Sequence, residues 1–310
     1  MDPVILFFLL GALAGLFKSD LRMPPAVYDL LSMVLLLTIG LKGGVELAEH
    51  SVGGLIPQIG LVLLLGFTVP LVIFPLVRFV GRMPRADAAS IAAHYGSVSV
   101  ATYAVGVAFL ESQRQSFDPQ LPLFVVLLEV PAIMVGILLA RGFQGGTRWG
   151  PLAHEIFMGK SIVLLLGGLL IGWVAGAEGV QPLEPLFFDL FKGVLALFLL
   201  EMGLIAASQA RTLRNHGLFL VLLGVMIPVP LATAGAWLGW MMGLNVGGVT
   251  LLAVLAGSCS YIAAPAAMRI AVPAANPALS LTASLGVTFP FNIFLGIPLY
   301  YQIAQWLHGQ

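Results

Sequence analysis

The stretch Gly257-Ser258-Cys259-Ser260-Tyr261-Ile262-Ala263-Ala264-Pro265 lies inside an apolar run from Val249 to Val272. Such a run is long enough to cross a bilayer, for which about 20 apolar residues suffice. Its centre is small and polar, and it ends in a proline. Proline lacks a backbone donor, and its ring clashes with the preceding turn. The helix is therefore expected to be interrupted here. Freed backbone groups need partners at membrane depth, so the interruption should face a protein-lined cavity. A second stretch, Gly96-Ser97-Val98-Ser99-Val100-Ala101-Thr102-Tyr103, also reads Gly-Ser-x-Ser inside an apolar span.

Composition sets the solvent. Of 310 residues, 59% are hydrophobic and only 9% charged, against about 25% charged in a soluble domain. The chain reads as an all-α polytopic membrane protein; the alternating strands of about 10 residues that mark a barrel are missing. Zero formal net charge gives no reason to expect nucleic-acid binding. The single cysteine, Cys259, excludes an internal disulfide. Met1-Asp2-Pro3 carries no basic segment, so the first apolar run reads as a retained span rather than a signal peptide.

Ten spans can be drawn: 3–17, 25–46, 53–80, 86–110, 120–141, 157–176, 185–208, 217–242, 247–271 and 278–307. The connection 142–156 divides them into two five-helix halves, 1–141 and 157–310. Leu9-Leu10-Gly11 recurs as Leu165-Leu166-Gly167, and Gly66 with Pro70 as Gly224 with Pro228. Gly96-Ser97-x-Ser99 recurs as Gly257-Ser258-x-Ser260, and Pro131 and Gly136 as Pro290 and Gly296. The pairs come in chain order, with offsets between 156 and 161. An odd number of crossings per half makes the second half inverted, an arrangement recurrent in secondary transporters, with helices 4 and 9 broken. Placing both termini outside puts eleven basic residues inside: Lys18, Arg22, Arg78, Arg82, Arg85, Arg141, Arg148, Lys160, Arg211, Arg214 and Arg269. Only Lys42, Arg114 and Lys192 remain outside, a strong positive-inside bias.

A broken helix exposes N–H groups at one cut end and C=O groups at the other. The N–H end attracts anions, and the C=O end can coordinate a cation. Ser97, Ser99, Thr102, Ser258 and Ser260 add hydroxyls, while Gly96 and Gly257 permit close approach to the backbone. No Lys or Arg falls mid-span, which suits a small monovalent anion accompanied by a cation. Glu129 lies mid-span before Pro131, where a carboxylate costs about 2.5–3.5 kcal/mol on insertion scales. It reads either as an ionised sodium ligand or as a protonated hydrogen-bond donor. Glu201, nearer a span end, also reads either way. Asn292 offers an amide oxygen to a cation or an interhelical hydrogen bond. His94, one turn before Ser97, reads as a structural or cavity-lining histidine. Without Gly-x-Ser-x-Gly, a metal-ligand spacing or a phosphate loop, an enzyme is not expected.

These residues resemble the sodium-dependent bicarbonate transporters of photosynthetic, carbon-concentrating bacteria and their relatives. The resemblance is carried by Leu252 to Ala256, the Ser258–Ser260 cluster up to Arg269, Pro273 to Pro277, and Gly296-Ile297-Pro298-Leu299. Gly96 to Ser99, Glu129-Val130-Pro131 and Ile39-Gly40-Leu41-Lys42-Gly43-Gly44 also match. Tyr261 stands where the bicarbonate members carry an aspartate. The resemblance implies a core of spans 3–5 and 8–10 moving against a gate of spans 1–2 and 6–7. It also implies a homotrimer in the bacterial inner membrane, in contact with lipid, and a trimeric cytoplasmic signalling regulator for some members. Its cargo would be bicarbonate with sodium as the coupling ion. Gly96, Ser97, Ser99, Thr102, Gly257, Ser258, Ser260 and Tyr261 would hold the anion. Glu129, Ser99, Ser260 and Asn292 would hold sodium. The rival readings are a sodium/proton antiporter, an organic-acid carrier on a similar scaffold, or a non-transporting membrane sensor.

Orientation is directly testable. A cysteine introduced near Arg148, for example Thr147→Cys, should react with an impermeant thiol reagent only from the cytoplasmic side. Labelling on intact cells would reverse the topology.

Overall fold

The computed structural model describes residues 3–49, 54–142, 150, 154 and 157–309, without the side chains of 210–216. The central connection with Arg148, and the side chains of Arg211 and Arg214, lie outside the described residues. All regular structure among the described residues is helical. The first half runs α1 Pro3–Leu16, α2 Pro25–Ala48, α3 Leu55–Val80, α4 Arg85–Gly96, α5 Val100–Ser112 and α6 Leu121–Arg141. The second runs α7 Lys160–Val180, α8 Phe191–Ser208, α9 Gly217–Met241, α10 Val246–Ala256, α11 Ala263–Ala271 and α12 Pro277–Leu307.

Eight described helical segments are long and apolar enough to span a membrane, α4 and α5 counting together as one. Two expected spans fall short of that length: α1 has 14 residues, and α10 has 11 before the chain unwinds. The exterior is apolar, with Leu64, Leu71, Leu170 and Leu295 all more than half exposed, as lipid-facing side chains should be.

Both expected interruptions are present, between α4 and α5 and between α10 and α11. Pro265 does not cause the second one. It is the third residue of α11, in the first turn, where a missing N–H removes no intrahelical bond. The chain unwinds earlier, over Gly257 to Ile262. In α12 two π-helical segments, Thr282–Thr288 and Asn292–Gly296, flank Pro290, and π-turns often mark functional positions.

Two close seams organise the helices outside the interruptions. α1 packs along α8, and α2 packs along α7. The pairing is crossed, since the first helix of each half lies on the second helix of the other. Each seam is lined by small residues one turn apart. Gly11 and Gly15 of α1 meet Leu200 and Ala207 of α8, and Gly203 of α8 meets Phe8 of α1. Gly40 and Gly44 of α2 lie on Leu165 and Leu169, and Gly168 and Gly172 of α7 on Leu37 and Leu41. Most of these contacts are to backbone atoms, so an added Cβ would push whole helices apart. In lipid, helix association draws on this close van der Waals approach instead of a hydrophobic drive.

Gly172→Ala should therefore lower stability by roughly 1–3 kcal/mol, the usual cost of overpacking. Gly167, on the same helix but with nothing within 4 Å, should accept alanine with a gain of up to about 1 kcal/mol. Thermal unfolding in detergent checks the pair; equal melting temperatures would show that the seam does not need its glycines.

Candidate functional site

The interruptions meet. α4 ends at Gly96, and Ser97 turns extended at φ −84°, ψ 171°. Ser99, also extended, caps α5: its Oγ accepts from Thr102 N at 3.0 Å and from Thr102 Oγ1 at 2.8 Å. This is the usual serine N-cap, satisfying one of the helix's orphan donors. On the other side α10 ends at Gly257, and Ser260 Oγ accepts from Ala264 N in the first turn of α11 at 3.1 Å.

Two hydrogen bonds join the broken stretches directly. Ser99 N donates to Ser258 Oγ at 3.0 Å, and Ser260 N donates to His94 O at 2.9 Å. Ser258 in turn donates to Leu255 O at 2.8 Å, so its one hydrogen is committed. Two helix N-termini, α5 and α11, start at this crossing, each carrying a partial positive charge. The surroundings are dry: Ser97, Ser99, Thr102, Ser258 and Ser260 are all buried. Three buried polar atoms here have no hydrogen-bond partner: His94 Nε2, Ser97 Oγ and Tyr261 Oη.

The remaining expected residues fall out differently. Gly96 packs against Pro70 and Ala132, and Gly257 against Ala232, Pro228 and Tyr300. Close helix packing therefore accounts for both glycines, and a bulky substitution there would disturb the fold before it reported on a ligand. Asn292 donates from Nδ2 to Gly257 O at 2.8 Å, and its Oδ1 accepts from Tyr300 Oη at 2.7 Å. Of its two readings, the interhelical hydrogen bond is the one seen; Asn292 braces the end of α10. Glu129 is buried at 3% exposure and forms no hydrogen bond or ion pair among the described residues. It lines a cavity of about 180 Å³ with Ile262 and Ala263 at the start of α11, and with Lys160. No group of three or more His, Cys, Asp or Glu able to hold a metal occurs among the described residues. A cation at this site would rely on hydroxyls, carbonyls and one carboxylate, the oxygen donors that hard cations take.

Sequence reasoning missed three groups. Lys160 was placed only as an inner charge, yet it opens onto the Glu129 cavity while its Nζ lies 2.6 Å from Asp29 Oδ1. Thr38 and Tyr103 line a second cavity of about 260 Å³ and leave buried hydroxyls unpaired. Lys42 and Glu111, 2.7 Å apart, line the same cavity. Polar residues one helical turn apart on α5, at 99, 102 and 103, were the available signal.

The Na+-dependent bicarbonate transporter superfamily matches this chain over residues 3–305. The chain belongs to that superfamily. A search of curated proteins finds no significant match. Membership in a transporter superfamily agrees with a helical membrane protein whose two broken helices meet at a buried polar crossing.

The bond between the crossings has a measurable worth. Ser258→Ala should leave Ser99 N without a partner and cost about 1–3 kcal/mol of stability. Ser284 is equally buried, but its hydroxyl back-bonds only within its own helix, to Ser280 O at 2.8 Å and Leu281 O at 3.5 Å. Ser284→Ala should cost well under about 1 kcal/mol, because those carbonyls need no second donor. Matching melting temperatures for the two variants would remove the Ser258 bridge as a structural tie.

Proposed function

We propose that the protein is a sodium-coupled symporter that imports bicarbonate by alternating access. The observation that carries this reading is the crossing itself: two broken helices, one from each half, bonded to each other at a buried polar centre. The crossed pairing of α1 with α8 and α2 with α7 supports two inverted five-helix repeats. So does the spacing of the seam residues. In the seams Gly11 and Gly15 take the places of Gly168 and Gly172 at an offset of 157, one residue beyond the Gly11–Gly167 match in the sequence, and Gly40 and Gly44 those of Gly203 and Ala207 at 163. On this reading α1, α2, α7 and α8 form the gate, and the other helices form the core that carries the site.

The two cavities supply approaches from both sides. One lies against Lys42 near the end of α2. The other includes Lys160, which pairs with Asp29 near the start of α2. Asp29 and Lys42 are separated by about 20 Å along that helix at 1.5 Å per residue. The anion would take the N–H ends of α5 and α11 and the hydroxyls of Ser97, Ser99 and Tyr261. Sodium, as cargo, would take Glu129 with Ser and backbone oxygens. Homotrimer assembly, the bacterial inner membrane, outside termini and a cytoplasmic regulator rest on the family and the charge bias.

Sodium coupling is tested through Glu129. A buried carboxylate without a partner is strongly disfavoured, and a bound cation relieves it. Because two ligands of one protein are linked by a single coupling free energy, weakening sodium binding weakens the anion as well. Glu129→Gln should raise the sodium concentration needed for bicarbonate binding by about 5- to 150-fold, the usual range of such coupling. Bicarbonate affinity would be measured across a sodium titration in both proteins; superimposable curves would remove Glu129 from the site.

A further inference from the structure

We propose that His94 is a specificity residue that reads the hydroxyl hydrogen of the transported anion, so that the site prefers a monovalent oxyanion carrying an O–H. The proposal rests on the transport reading above and adds to it the means of choosing the anion.

His94 sits in the last turn of α4, two residues before Gly96, at 2% exposure. Its Nδ1 is 2.7 Å from Ser90 O. A carbonyl only accepts, so Nδ1 carries the hydrogen in this contact. In the neutral ring Nε2 is then a bare acceptor. No donor reaches it: Nε2 is buried without a hydrogen-bond partner. The residue is not adrift, because its own carbonyl accepts from Ser260 N at 2.9 Å. His94 is thus held from both sides at the contact between the two broken stretches, with one unsatisfied acceptor. Ser97 Oγ, three residues on, is buried and unpaired as well.

The crossing also offers donors to the negative part of an anion: two helix N-termini and the unpaired hydroxyls of Ser97 and Tyr261. The unpaired acceptor Nε2 finds no donor in nitrate, formate or chloride, which present no O–H. It matches bicarbonate, whose oxygens accept while its hydroxyl donates. Nitrate has the same charge and the same planar trigonal shape but no hydrogen, so it isolates the feature Nε2 would read. A polar site left unpaired by an analogue lacking its hydroxyl discriminates strongly.

The test is competition in liposomes containing the full chain. Labelled bicarbonate uptake is measured at fixed pH and sodium against added nitrate. In the parent protein nitrate should compete poorly. In His94→Leu the half-saturating bicarbonate concentration should rise, and the ratio of nitrate to bicarbonate affinity should rise at least ~10-fold, a small part of the range such sites reach. A merely structural histidine would weaken both anions together and leave the ratio unchanged, which overturns the proposal. Should His94→Leu not fold, the parent protein decides alone. With ¹⁵N-labelled histidine, the His94 Nε2 resonance should move on saturation with bicarbonate and stay put with nitrate. A resonance indifferent to bicarbonate, while a thermal shift shows it bound, overturns the proposal and leaves the transport reading standing. A parent protein that neither binds nor takes up bicarbonate overturns both.

Discussion

An unpaired backbone group at membrane depth has no water to turn to. Two helices of this chain nevertheless stop in the middle of apolar spans, and each leaves four N–H or C=O groups without intrahelical partners at a cut end. Part of that deficit is met across the break, by Ser99 N on Ser258 Oγ and Ser260 N on His94 O. Neither broken stretch meets it alone. The two halves therefore have to fold onto each other, and the serines repeat because each break needs a cap of its own. What the protein leaves unmet, at His94 Nε2 and Ser97 Oγ, is what a ligand can use.

The rest of the molecule answers a different constraint. Helices in lipid gain nothing from hiding apolar surface, so they hold together only where they come close. The seams between α1 and α8 and between α2 and α7 achieve this with glycine or alanine at two successive turns of each helix. Beside the seams, cavities open next to Tyr103 on one side and Glu129 on the other. On the far side of the polar crossing, buried apolar side chains such as Ile73, Ile91 and Leu223 pack together, and single hydroxyl contacts, Ser90 with Ser280 and Tyr95 with Thr288, are set among them.

The interruptions were readable because Gly-Ser-x-Ser is poor helix material inside a greasy run, and composition is visible in a sequence. Their cause was less so: Pro265 drew attention, yet it sits where a proline is tolerated in a helix's first turn. Gly96 and Gly257 show the same limit from the other side. A glycine announces close approach without saying to what, and here the neighbours are Pro70, Ala132, Ala232 and Pro228. The glycine seams and Lys160 went unseen for a related reason. Helical spacing tells which residues share a face, while the partner across that face is fixed only when both halves are folded.

Magnitudes indicate which contacts a moving core would break. Glu111 of α5 faces Lys42 of α2 at 2.7 Å and Lys192 of α8 at 3.8 Å, all of them part-exposed. Exposed pairs of this kind are worth about 0–1 kcal/mol each, so parting α5 from α2 and α8 costs little there. Lys160 and Asp29 join α7 to α2, within the close seam, and need not part at all. Opening the seams would require separating helices whose backbones touch, against dispersion contacts summed over several turns. Between the two groups of helices the Lys42–Glu111 pair is thus a weak tie, beside apolar contacts such as Phe8 of α1 on Phe289 and Phe294 of α12. On the proposed alternating-access reading, the seams would stay rigid while the crossing they flank changes the side it faces.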